Sequence, residues 1–221
     1  MKITTDSVLL GAWTCCSEAK EILEVGAGTG VISLMLAQRC PESFVSAMEP
    51  HRPTAEELDF NFGQSPWKER LYSFEAGFQQ FLDQDIEEYL PKYDLVVSNP
   101  PYYRNDQLPD DPWKASARHG VDLTWEILLE GACKILTPAG RVSLIIPARY
   151  RSEVLSLAAG LKLYCNRMLE VKPRADKPFF RVLMELGREK KPLQRETLII
   201  HERQGYTEEY RALTREYYPD F

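Results

Sequence analysis

The sequence predicts one α/β domain, doubly wound, with a mainly parallel seven-stranded sheet and an antiparallel C-terminal edge. Three observations carry this. Short apolar runs of strand character alternate with helical runs through residue 146, the pattern of βαβ units. A glycine-rich turn closes the first of those strands, where doubly wound sheets bind ligands. After residue 160 three strand-like runs follow one another with little helix between them.

Glu21–Gly26 (EILEVG) reads as a buried strand and Val31–Arg39 as a helix. Phe44–Glu49 is a second strand, followed after Pro53 by a helical run to about Phe62. Leu71–Glu75 is a third strand, and Phe78–Leu90 a helix with an acidic exposed face. Tyr93–Ser98 is a fourth strand. The polar stretch Tyr103–Gly120, holding Pro109 and Pro112, reads as a loop. Leu123–Leu136 is an amphipathic helix closed by the turn Thr137–Gly140, and Arg141–Ile146 is a fifth strand. Right-handed crossovers then put helices on both faces. Leu163–Val171, Phe179–Leu186 and Thr197–His201 close the sheet with an antiparallel edge hairpin, and Thr207–Tyr217 is a last amphipathic helix.

With 221 residues the chain is long enough for one substantial core. No stretch approaches the ~20 apolar residues of a membrane span, and residues 1–5 lack the apolar run of a secretory signal. The five cysteines, Cys15, Cys16, Cys40, Cys133 and Cys165, are odd in number and show no C-x-x-C spacing. They read as reduced thiols of a cytoplasmic protein. Three scattered histidines argue against a metal site. The expected assembly is a monomer. The net charge of −6 is unevenly spread: residues 1–103 carry 7 basic and 16 acidic side chains, residues 104–191 carry 16 and 11. A polyanion can meet the middle segment, although ordinary surface imbalance explains the count equally well.

Glu24-Val25-Gly26-Ala27-Gly28-Thr29-Gly30 joins the first strand to the first helix. A dinucleotide site wants G-x-G-x-x-G; counted from Gly26 the third glycine falls at Val31. The pattern present is acidic-x-G-x-G-x-G. Glu24 suits a ligand with positive groups, and S-adenosylmethionine has an ammonium and a sulfonium. Glu49 ends the second strand, where a carboxylate accepts from both ribose hydroxyls. Nicotinamide binding stays open as a weaker reading through Gly28-x-Gly30-x-x-Ser33, and a plain structural turn as another.

Ser98-Asn99-Pro100-Pro101-Tyr102 follows the fourth strand. Two prolines make a stiff, non-helical turn with few donors. The Asn99 side-chain carbonyl and the Pro100 backbone carbonyl can then hold the two hydrogens of a planar amine, while Tyr102 offers a stacking face.

The two motifs together resemble the class I, Rossmann-like methyltransferases of planar exocyclic nitrogens. Across the chain the resemblance narrows to the bacterial tRNA1(Val) adenine N6-methyltransferases, which act on the adenosine 3′ of the anticodon. It is carried by Met1 to Asp6, Leu9 to Trp13, Glu24 to Gly30, Leu34 to Arg39, Gln64 to Trp67, Ser98 to Tyr103, Arg181 to Leu183 and Tyr206 to Thr214. The resemblance implies that Glu24, Gly26, Gly28, Gly30 and Glu49 bind S-adenosylmethionine, with Ala76 and Gly77 beside its adenine. It implies that Asn99, Pro100, Pro101 and Tyr102 bind the target adenine, and that the first segment, with Thr5 and Asp6, covers the cofactor. The chain departs from its relatives in three ways. They usually carry further residues before the position of Met1, an Asp where this chain has Gly77, and a more basic tract before Arg181.

A tRNA partner gives Arg149, Arg151, Arg167, Arg174 and Lys177, together with Lys172, a role on phosphates. Solvated strand ends are the equal alternative. Tyr103 frames the base pocket or packs beneath the loop. The C-terminal tyrosines and Trp67 read as packing. Two other functions stay in view: methylation of a glutamine side-chain amide in a protein, and a non-catalytic RNA-binding adaptor.

Overall fold

The computed structural model describes residues 3–84, 90–100 and 123–218. Within them the strands are β1 Glu21–Val25, β2 Phe44–Met48, β3 Leu71–Phe74, β4 Tyr93–Ser98, β5 Leu136–Pro147, β6 Tyr164–Arg174, β7 Arg181–Gly187, β8 Gln194–Glu202 and β9 Gly205–Tyr206. The helices are α1 Thr5–Trp13, α2 Val31–Arg39, α3 Arg52–Gln64, α4 Phe78–Gln84, α5 Trp125–Ile135, α6 Arg151–Gly160 and α7 Glu208–Thr214.

All nine strands form one sheet in the order β3-β2-β1-β4-β5-β7-β6-β8-β9. From β3 to β5 every pairing is parallel, and β7 runs antiparallel to both neighbours. The sheet has nine strands rather than seven: the run read at Thr197–His201 is β8, which pairs parallel to β6 instead of antiparallel, and the two-residue β9 is an addition. The β6–β7 hairpin enters with its later strand inward, against β5.

Strand alternation divides the core between two faces. Ile22, Leu95 and Val97 pack with Leu9, Leu36, Leu58 and Tyr210 of α1, α2, α3 and α7. Leu23 and Val96 turn the other way, onto Phe78, Leu128 and Val154 of α4, α5 and α6. A sheet covered on both faces explains the near-continuous apolar strands. Each such fully buried side chain contributes about 1.5–3 kcal/mol.

Several elements differ from expectation. Helix α1 adds to the expected set; Thr4 caps it, its side chain accepting from Ser7 N at 3.2 Å. Helix α6 is a second addition. The turn expected over Thr137–Gly140 is a bulge inside β5: Tyr93 pairs with Leu136 and Leu95 with Arg141, so residues 137–140 stand opposite Asp94. The reduced state expected for every cysteine is corrected by the Cys16–Cys40 disulfide. Cys16 follows α1 and Cys40 caps α2, and the packing of these helices brings together residues 24 apart in the chain. Cys15, Cys133 and Cys165 are free thiols. Among the described residues no helix is long and apolar enough to cross a membrane.

Candidate active site

The carboxyl ends of β1, β2, β3 and β4 meet at one rim. Gly26, Gly28 and Gly30 all adopt positive φ, at 72°, 56° and 83°, a region that side chains with a Cβ seldom occupy. Gly26 N and Ala27 N donate to Met48 O at 3.0 and 2.8 Å, tying the loop to the end of β2. Gly30 also serves packing, since a Cβ there meets Leu58 Cδ1 at 2.5 Å. Asn61 on α3 donates to Thr29 O at 3.0 Å and holds the loop from outside.

Glu49 follows β2 and is 9% exposed. Its Oε2 accepts from Gly28 N at 2.9 Å and its Oε1 from His51 N at 3.0 Å. The carboxylate is thereby locked in place. A carboxylate has about four acceptor positions, so each oxygen retains capacity for a further donor. Glu49 N in turn donates to Phe74 O at 3.0 Å, joining the ends of β2 and β3.

Glu24 is placed differently from Glu49. It lies buried beneath the loop, and its Oε2 accepts from Ser33 N at 2.9 Å and from the Ser33 hydroxyl. Ser33 N belongs to the first turn of α2, whose N-cap, Gly30, has no side chain to satisfy it. Glu24 thus caps α2 from the neighbouring strand. Burial pushes its carboxyl up to about 8, the Ser33 hydrogen bonds oppose this, and the charge of Glu49 adds to it.

Ala76 and Gly77 lie between β3 and α4. Among the described residues, a Cβ built on Gly77 meets nothing within 4 Å, and one on Gly26 meets only Leu123, at 3.9 Å. The space over both backbones is open.

On the other side of β1, the Ser98 hydroxyl donates to Val25 O at 2.7 Å, pinning the end of β4 to the start of the glycine loop. Asn99 follows at once. Its amide nitrogen donates to Ser7 Oγ on α1 at 3.4 Å. Pro100 is buried. Pro101, Tyr102 and Tyr103 lie outside the described residues. Thr5 is the exposed first residue of α1. Asp6 beside it accepts from Arg181 Nε on β7 at 2.7 Å, a contact that neither residue's place in the sequence signals.

The six expected phosphate contacts separate; Lys172, on β6, lies with its Nζ 4.8 Å from the Phe179 ring. Arg174 and Lys177 are exposed at the tip of the β6–β7 hairpin, on the same rim, where Lys177 lies 3.7 Å from Asp176. Arg149 is exposed just past β5, its guanidinium 4.8 Å from the Tyr150 ring. Arg151 is partly committed to the buried Glu170, which also holds Arg195 at 2.6 Å. Arg167 departs from the cluster. It sits on β6 four residues before Val171, about 13 Å down the strand from the rim at 3.3 Å per residue. There it pairs with Glu185 at 3.1 Å and covers the Trp13 ring at 4.5 Å. A basic residue in mid-strand on a packed face is part of the core's polar seam, a placement its sequence neighbourhood does not reveal.

Residues 7–164 match the family model described as methyltransferase small domain. A tRNA1(Val) (adenine(37)-N6)-methyltransferase of Aliivibrio fischeri is 37% identical over 218 residues, covering 99% of this chain and 91% of that protein. One of the same name from Trichodesmium erythraeum is 38% identical over 221 residues, with the same coverages. Among solved structures, a predicted O-methyltransferase of Agrobacterium tumefaciens superposes with a TM-score of 0.76 at 21% identity, covering 96% of both chains. A putative RNA methyltransferase of Pyrococcus horikoshii gives 0.56 at 19% identity, covering 82% of this chain and 80% of that one.

Proposed function

The chain belongs to the tRNA1(Val) (adenine(37)-N6)-methyltransferase family, and from that we propose that it methylates the exocyclic N6 of an adenosine in tRNA, the one 3′ of the anticodon. The observation that carries the reading is the meeting, at one rim, of two sites with different chemistry. One is the Gly26–Gly30 loop with the Glu49 carboxylate held at its Gly28 amide; the other is Asn99 at the end of β4. A tRNA substrate calls for a cytoplasmic protein.

The donor set fits S-adenosylmethionine. Glu49 keeps acceptor capacity for ribose hydroxyls, and Gly26 and Gly77 leave room where side chains would intrude. Bound there, S-adenosylmethionine supplies a methyl group already activated by its sulfonium. Glu49 would hold the ribose, the glycine loop would admit close approach of backbone to ligand, and Ala76 and Gly77 would take the adenine.

What the chain must do is make a poor nucleophile attack. An exocyclic aromatic amine shares its lone pair with the ring. Asn99 through its side-chain carbonyl, and Pro100 through its backbone carbonyl, accept the two amine hydrogens. Nitrogen becomes positive as the new N–C bond forms, so these acceptors bind the transition state better than the ground state. Bound S-adenosylmethionine would supply the methyl group and leave as the neutral thioether, and the methylated nitrogen would release one proton to water. Tyr102 supplies the stacking face, and Arg174, Lys177 and Arg149 meet backbone phosphates. Incubation with S-adenosylmethionine and total tRNA, followed by nucleoside mass spectrometry, tests the reading: N6-methyladenosine is the expected product. Methylated glutamine in a protein, with unmodified tRNA, would replace it by the protein-methylating alternative.

A further inference from the structure

The first turn of α1 is strung across the end of β5. Asn99 follows β4 on one side of β5, and Arg181 opens β7 on the other, paired with Pro147 at the end of β5. Successive residues of the turn reach in opposite directions: Asp6 to Arg181 Nε at 2.7 Å, Ser7 to Asn99 Nδ2 at 3.4 Å. Both ends are held. Arg181 Nη1 donates to Phe180 O at 3.1 Å and the guanidinium lies 5.1 Å from the Phe180 ring. Thr4 Oγ1 sits 3.0 Å from Ser7 Oγ. The ion pair is largely shielded, its side chains 24% and 14% exposed.

Which way an asparagine amide faces is decided by the hydrogen bonds around it. With the Ser7 hydroxyl hydrogen directed to Thr4 Oγ1, 3.0 Å away, the Ser7 oxygen is left to accept from Nδ2, which selects the orientation with the Asn99 carbonyl oxygen on the opposite side. That orientation is the one an amine substrate requires, because Asn99 must accept. We propose that Asp6 and Arg181 are the positioning pair of this site: they hold the first turn of α1 where Ser7 orients the Asn99 amide for reaction. The proposal rests on the amine-methylation reading and adds to it a role for two residues that touch no reacting atom.

The test compares two backgrounds. Single-turnover transfer from S-adenosylmethionine to tRNA, at saturating tRNA, is measured for Asp6→Asn and Arg181→Gln, each alone and combined with Asn99→Ala. The pair acts through Asn99, so the expected loss is tenfold or more with Asn99 present and less than threefold without it. Exchanging the charges (Asp6→Arg with Arg181→Asp) should recover part of the loss. Equal losses in both backgrounds would assign the pair to general stability and overturn the proposal, as would no loss at all. If thermal melting shows that Asp6→Asn is unfolded at assay temperature, Ser7→Ala and Ser7→Thr carry the same comparison: the hydroxyl-retaining variant keeps the rate and the alanine does not. Similar rates for those two overturn it. A near wild-type rate for Asn99→Ala by itself defeats the amine-methylation reading and the pair with it; a large Asn99→Ala loss with no background dependence defeats the pair alone.

Discussion

Glu24 and Ser33 are joined through a single oxygen, Oε2, which accepts from both the amide and the hydroxyl of Ser33 nine residues along the chain. The carboxyl is buried, and its affinity for protons is raised to about 8. A carboxyl raised on folding makes the native state bind more protons than the unfolded one. Its contribution to stability is complete below about pH 4.5 and is lost as pH rises through about 8, on the order of a few kcal/mol at 1.36 kcal/mol per pKa unit. Glu24→Gln should flatten the pH dependence of urea denaturation between pH 5 and 8. Parallel curves for the two proteins would mean that Glu24 is ionised in the fold.

Glu49 holds the glycine loop and is the proposed ribose acceptor. Glu49→Ala should weaken S-adenosylmethionine binding by about 1.5–3 kcal/mol, the worth of hydrogen bonds to a charged group. Calorimetry reads this directly. Unchanged affinity would remove Glu49 from the cofactor site and leave it a loop support.

Asn99→Ala should lower single-turnover methyl transfer by about 10²–10³, the size of effect seen when one oriented partner of a developing charge is removed. Cofactor affinity, measured by calorimetry, should stay close to wild type. A matching loss in cofactor affinity would instead place Asn99 in the binding of the methyl donor.

The cations should separate as their positions do. Arg174→Ala with Lys177→Ala should reduce the slope of log affinity for tRNA against log salt, by about 0.7–0.9 for each phosphate no longer neutralised, with stability little changed. Arg167→Ala should leave that slope alone and destabilise the fold by about 1–3 kcal/mol, because Glu185 gives up a charged hydrogen bond in a mostly buried site. A salt slope lowered by the Arg167 change would return it to the RNA surface.

β1, β2, β4 and β5 and the glycine loop were legible because these strands are largely buried on both faces and read as apolar runs, whereas the edge strand β3 buries only Leu71. Helix α1 was not. Its nine residues, Thr5–Trp13, are mostly buried, so no polar stripe marks a helical period; the capping Thr4 was its one local sign. Helix α6 begins directly after the Ala148–Tyr150 turn with no capping side chain, which hid its start. The bulge at Thr137–Gly140 looked like a turn because its Pro and Gly are the same in both. The separation of Arg167 from Arg174 depends on strand register, which charge counting along the chain does not contain. The roles of Glu24 and Glu49, equivalent as acidic residues at two strand ends, diverged only when one proved to face the helix start beneath the loop.

The sheet's far margin has one more consequence. Beyond β6 the chain adds β8, whose last residues are covered: His201 and Glu202 pair with β9, and Thr207 donates to the carbonyls of Ile199 and Ile200. The first half of β8, Gln194-Arg195-Glu196-Thr197, is exposed and polar. An uncovered strand is a template on which another molecule's strand can add, and charged side chains along it oppose that addition. At this margin the border is thus closed by backbone at its end and guarded by charge where it is bare, which opposes strand addition there.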